Sequence, residues 1–298
     1  FRDRTESIAM QRDRLMEARI VAEQSDVVLL CLGLDETLEG EEGDAGNSYA
    51  SGDKESLLLP EVQRLLMETV AETGKPVVLC MMAGSDIDLS YAREHFHAIL
   101  QMWYPGAQGG NAAARILFGE VSPSGKLPVT FYETLEELPE FTDYSMKGRT
   151  YRYMEHAAQY PFGFGLTYGK GRVVDAKIVE SDSDSSKKQV CATSESLSKY
   201  EVCATVKNES NVDIEEVLEI YVKKEDSAYD TLHPSLCAFT RVTLPAGEEK
   251  KVNVVLPESA FTVVDENGRR FVDGRRFKFY VGFSQPDARS EVLTGIKC

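Results

Sequence analysis

Three short apolar runs constrain this chain more than any other feature: Val27–Leu32, Pro76–Met82 and Ala98–Trp103. Each ends in a glycine-rich or polar turn, and their length and branching predict buried strands. Segments of helical periodicity separate them. Thr5 to Gln24 puts Ile8, Leu15, Ala18 and Val21 or Ala22 on one side. Ser56 to Met67 carries Pro60 in its first turn, where a missing N–H is harmless, and Gly74 stops that helix. A further helix is expected from Asn111 to Phe118. Strands and helices alternating at this spacing predict a parallel α/β sheet, and such sheets bind ligands beyond the carboxyl ends of their strands.

The first run opens into a loop with an unusual load of charge. Asp35, Glu36, Glu39, Glu41, Glu42 and Asp44 are interleaved with Gly33, Gly40, Gly43 and Gly46. Carboxylates crowded at a strand end repel one another, which raises at least one pKa and favours a proton donor at neutral pH. The plain alternative is a solvated acidic surface loop.

Composition narrows the partners. A formal charge of −16 argues against nucleic acid and anionic membrane surfaces, and no apolar stretch approaches the ~20 residues needed to span a bilayer. A neutral substrate such as a sugar is compatible. The six cysteines, Cys31, Cys80, Cys191, Cys203, Cys237 and Cys298, show no metal-finger spacing. Cys31 and Cys80 lie in apolar runs, where buried reduced thiols are expected. With no signal peptide visible after Phe1, a reducing, cytoplasmic location is the expectation.

After Gly169 helical periodicity gives way to alternation. Tyr200–Lys207, Val217–Lys223, Phe239–Leu244, Lys251–Leu256 and Arg276–Gly282 read as strands, with turns near Asn208, Pro245 and Asn267. This predicts a β-sandwich devoted to packing and support, since it carries no carboxylate or His cluster. Asn208-Glu-Ser210 is a glycosylation sequon on paper.

Rival chemistries find weak footing. Gly119 to Leu127 resembles a phosphate loop but has one residue too many and no Ser or Thr after Lys126. Gly163 to Gly169 lacks dinucleotide spacing. His95, His97, His156 and His233 read as surface or packing residues, and no metal or other cofactor is implied. Trp103 and Tyr104 are possible sugar-rim aromatics, although an aromatic at a strand end is more often core.

Five motifs, in order, resemble the C-terminal half of glycoside hydrolase family 3, the β-glucosidase and β-xylosidase group. They are Val27–Gly33 with its acidic loop, WYPGAQGGNAAARILFG at 103–119, SPSGKLPVTF at 122–131, GRTYRY at 148–153 and YPFGFGLTY at 160–168. The resemblance implies an α/β sandwich over 1–168, then a linker and a fibronectin type III-like domain over 169–298. It also implies a retaining β-glycosidase, β-glucosidase first and β-xylosidase second, acting on a β-linked glucoside or short oligosaccharide.

Retaining glycosidases need two carboxyl groups about 5–5.5 Å apart. The resemblance implies a nucleophilic Asp on an N-terminal (β/α)8 barrel and an acid/base Glu on the acidic loop. This chain has no room for a barrel of ~250 residues, so it is expected to be a C-terminal fragment, inactive alone, with the barrel as its partner. The family loop reads Glu-x-Glu-Gly-x-Asp-Arg, with the acid/base at its second Glu. Alignment on Gly33 and Asp44 selects Glu41; preserving the Glu-Gly pair selects Glu42 instead. Ala45 replaces the family Arg. Glu39 and Asp44 are left as structural or substrate-binding, and a homo-oligomer is a further possibility. A non-catalytic carbohydrate-binding or scaffold module of the same fold is the competing class.

Overall fold

The computed structural model describes residues 13–35, 39, 54, 56–180 and 200–297. By contact the chain divides into two bodies. The first runs to Arg115 and includes Phe131–Glu137; the second comprises Ile116–Thr130 and the chain from Leu138 onward.

The first body is a parallel sheet with helices. Strands β1 (Val28–Gly33), β2 (Val77–Met82) and β3 (Ala98–Gln101) pair in the order β1-β2-β3. The register is regular, with Val28 opposite Val77 and Val78 opposite Ala98. Of the helices α1 (Asp13–Glu23), α2 (Glu61–Ala71), α3 (Ser90–His95) and α4 (Gly109–Leu117), the first, second and fourth follow the expected order, and the short α3 is one the sequence pattern did not indicate. Pro60 sits just before α2, and Gly74, at φ 66°, follows it. The apolar stripe of α2 buries Met67 and Val70, and the central strand fully buries Val77, Leu79 and Met81. Each such side chain contributes about 1.5–3 kcal/mol of burial.

Two expectations need correction. Strand β1 is not buried on both faces: Leu30 and Leu32 point inward, whereas Leu29 is 51% exposed and Cys31 is exposed. Among the described residues β1 is the edge of the sheet, so alternate side chains lack cover. On α1 the open choice between Val21 and Ala22 falls to Ala22, which is buried. The third strand also ends at Gln101, leaving Trp103 outside it with φ 56°.

The second body is antiparallel. Strands β4 (Gly171–Glu180), β5 (Tyr200–Asn208), β6 (Ile214–Lys224), β7 (Ser235–Leu244), β8 (Glu249–Val255), β9 (Val263–Val264), β10 (Arg270–Phe271), β11 (Arg276–Gly282) and β12 (Glu291–Lys297) form it, with a short helix α5 (Thr150–Tyr153). A four-stranded sheet, β12-β11-β6-β7, and a three-stranded sheet, β4-β5-β8, supply one core. Val202, Val206, Leu218, Ile220, Phe261, Phe277 and Phe279 meet there, their alternation setting the inward face. Asn208, at the end of β5, is also fully buried. Its Nδ2 donates to the carbonyls of Val212, Leu244 and Pro245 at 2.7, 3.0 and 3.2 Å, so the nominal sequon is a structural amide.

Candidate active site

The three parallel strands deliver their chain exits to one edge of the first body. Strand β1 leaves through Gly33, which Gln63 of α2 holds from both sides. Its Oε1 accepts the Gly33 N–H at 3.0 Å and its Nε2 donates to the Gly33 carbonyl at 2.7 Å. A Cβ on Gly33 would stand 1.7 Å from the Met82 carbonyl oxygen, so only glycine fits. The next amide, Leu34 N–H, donates to that same carbonyl at 2.9 Å. Strand β2 leaves through Ala83-Gly84-Ser85-Asp86, and β3 through Met102-Trp103-Tyr104.

Glu39 lies on this edge. Its Oε2 accepts the Gly84 N–H at 3.1 Å and the Tyr104 hydroxyl, and its Oε1 accepts the Ser85 hydroxyl. Burial opposes ionisation of Glu39, but the bonds from Ser85, Tyr104 and Gly84, with the charge of Lys54, outweigh it and hold the pKa below the usual carboxylate value. Tyr104 responds oppositely: burial and the adjacent carboxylate push its phenol up to about 12. Gly84 is required by close approach, since a Cβ there would lie 2.7 Å from the Tyr104 ring and 3.0 Å from Glu39 Oε2.

Lys54 reaches the same turn from the far side of the acidic stretch. Its Nζ donates to the Asp86 carbonyl at 2.6 Å. Desolvation lowers the Lys54 pKa, countered by the charges of Glu39 and Asp86. The Asp86 carboxyl accepts the Tyr132 N–H at 2.7 Å through Oδ2, while Oδ1 is buried without a hydrogen-bond partner among the described residues. Burial raises Asp86 to about 6, against the pull of Tyr132 and Lys54. One edge thus holds an ionised glutamate saturated by donors, a lysine, and an aspartate that retains its proton to unusually high pH.

Of the residues singled out from sequence, Glu41, Glu42 and Asp44 lie outside the described residues. Glu39 is brought to the strand exits. Sequence reasoning missed Ser85 and Lys54 as its companions, and Gln63 as the side chain that holds Gly33. The only signal was position, since Ser85 and Tyr104 each follow a strand that ends on the same edge.

The other motifs resolve as structure. Lys126, in the near-miss phosphate loop, is buried and paired with Glu216 at 3.0 Å, and donates to the Gly165 carbonyl at 2.8 Å. His95 packs on Tyr91, His97 Nδ1 accepts the Val77 N–H at 3.4 Å, and His233 Nε2 bonds the Met154 carbonyl at 2.6 Å. Trp103 meets Phe131 edge-on at 6.1 Å. Among the described residues no group of three His, Cys, Asp or Glu side chains could hold a metal ion, and no helix is long and apolar enough to cross a membrane.

Residues 3–168 match the glycosyl hydrolase family 3 C-terminal domain, and residues 216–285 a fibronectin type III-like domain. The chain belongs to glycosyl hydrolase family 3. A xylan 1,4-beta-xylosidase of Xylanibacter ruminicola is 36% identical over 270 residues, covering 90% of this chain and 30% of the relative. A periplasmic beta-glucosidase of Salmonella typhimurium is 28% identical over 278 residues, covering 89% of this chain and 34% of the relative. Among solved structures, a β-glucosidase from Erythrobacter marinus superimposes with a TM-score of 0.78 at 28% identity, covering 95% of this chain and 36% of that one. This family 3 chain therefore spans about a third of the length of these relatives. Its fold is the family's C-terminal α/β domain followed by a fibronectin-like β-sandwich.

Proposed function

We propose that this chain supplies the general acid/base of a retaining β-glycosidase that hydrolyses terminal non-reducing β-D-glycosyl residues. In this reading Glu41 protonates the departing oxygen, with Glu42 the alternative, and the nucleophile stands on an N-terminal (β/α)8 barrel. One observation carries it. Glu39 and Lys54 flank the stretch containing Glu41 and Glu42, and both bond to the turn at the carboxyl end of β2. That edge is where α/β sheets present ligands. Glu39 itself, ionised and occupied by three donors, is poorly suited to donate a proton at neutral pH, which leaves the role to its neighbours.

Two glycones deserve a first trial. The family resemblance put a β-glucoside first and a β-xyloside second, whereas the more similar of the two curated relatives above is a xylosidase. The free thiols Cys31, Cys80, Cys203 and Cys237 suit a reducing compartment, and a cytoplasmic location belongs to the same proposal.

The test compares the isolated 298-residue chain with a version joined to a family 3 barrel, on aryl β-xyloside and aryl β-glucoside. The isolated chain should match the buffer blank, because the effective molarity of a second carboxylate is lost, while the joined protein turns over. Robust hydrolysis by the isolated chain would overturn the split site and point to a carboxylate pair within this body, such as Glu41 with Asp86.

A further inference from the structure

Three donors from two different strand exits converge on one carboxylate, and a lysine on the opposite flank of the acidic stretch reaches the same turn. From this convergence we infer that Glu39 is a positioning residue: it fixes the start of the acidic stretch on Gly84, Ser85 and Tyr104, while Lys54 fixes its end on the Asp86 carbonyl. The inference rests on the reading that this stretch carries the acid/base, and it assigns Glu39 away from sugar contact.

The chemistry is restrictive. A carboxylate offers about four lone-pair directions. Glu39 commits three of them to the Gly84 amide, the Ser85 hydroxyl and the Tyr104 hydroxyl. A sugar hydroxyl would have to displace a charge-assisted bond already made. The surroundings are built for this occupant. Gly84 leaves no room for a Cβ between its amide and the pair Glu39–Tyr104. Trp103, at φ 56°, occupies the left-handed region that is strained for a bulky residue, and it immediately precedes Tyr104. The Glu39 amide also donates to the Asp35 carbonyl at 2.9 Å, so main chain and side chain are held together. On the other flank, Lys54 contributes a neutralising charge to the same cluster.

The test has two arms. In the 298-residue chain, thermal midpoints are compared for Glu39→Ala, for the double variant Ser85→Ala/Tyr104→Phe, and for all three changes together. The clamp requires non-additivity, with the triple variant melting where Glu39→Ala does. Independent, additive losses would overturn it. In the barrel-joined enzyme, Glu39→Ala should lower kcat on a disaccharide by about 100-fold, the cost of a displaced catalytic group, with KM unchanged. Ser85→Ala/Tyr104→Phe, which keeps the carboxylate, should reproduce that split, and Glu39→Gln should recover part of the loss. A raised KM at constant kcat would make Glu39 a sugar contact. Turnover of Glu39→Ala restored by azide would make it the proton donor. Either result overturns the inference. If Glu41→Ala and Glu42→Ala both keep normal leaving-group dependence, the acid/base reading falls while the melting arm still judges the clamp.

Discussion

Glu219 shows how a single buried carboxyl couples this protein to pH. It sits on β6 at 3% exposure and accepts a 2.6 Å bond from Tyr221. Burial raises its pKa to about 7, opposed by the Tyr221 bond and the Lys126 charge and reinforced by Glu216. The folded state therefore binds a proton more readily than the unfolded chain across pH 4.5 to about 7. Stability from the neutral carboxyl is complete below that window and is lost as pH rises through it, by at most about 3 kcal/mol. Glu219→Gln should therefore raise the urea midpoint at pH 8 and leave it nearly unchanged at pH 4; an equal shift at both would refute this. Gly84→Ala tests the opposite kind of residue, one that matters for what it lacks. Its added methyl should force Tyr104 and Glu39 apart and produce the kcat loss expected of Glu39→Ala, whereas unaltered kinetics would show that the close approach is dispensable.

Among the elements, β1 and β4 show where sequence patterns mislead. The apolar run at β1 reads as a doubly covered strand, yet Leu29 and Cys31 are exposed while Cys80, opposite Cys31 on the neighbouring strand, is buried, so among the described residues cover on that face does not extend to the edge strand. Hydropathy reports what a side chain tolerates, not what covers it. Strand β4 escaped notice for another reason: its register shifts between Val173 and Asp175, so its buried residues, Val173 and Ala176, are three apart and period-two alternation is lost. Strands with regular alternation, such as β11, were legible to the residue. Thiol chemistry checks this arrangement. Burial raises Cys80 to about 11 and Cys237 to about 12, so iodoacetamide at pH 8 should label Cys31 in the native protein and reach those two only in urea. Equal labelling of Cys31 and Cys80 in the native state would contradict the edge-strand geometry.

At the scale of the whole molecule, the family and both folds could be read from ordered motifs, and the acidic stretch could be singled out as a candidate site. Its anchors could not, because Ser85 and Tyr104 lie 46 and 65 residues from Glu39 and only the parallel sheet brings them together. The central claim is that this stretch donates the proton. In a barrel-joined enzyme, Glu41→Ala should abolish hydrolysis of a disaccharide while sparing glycosylation by substrates with activated phenolate leaving groups, since only poor leaving groups need the acid. The glycosyl-enzyme then accumulates for want of a base, and azide, which needs none, should restore turnover and release a β-glycosyl azide. Glu42→Ala run in parallel assigns the donor between the two. Activity reduced alike on all substrates in both variants, with no glycosyl azide formed, would contradict the account.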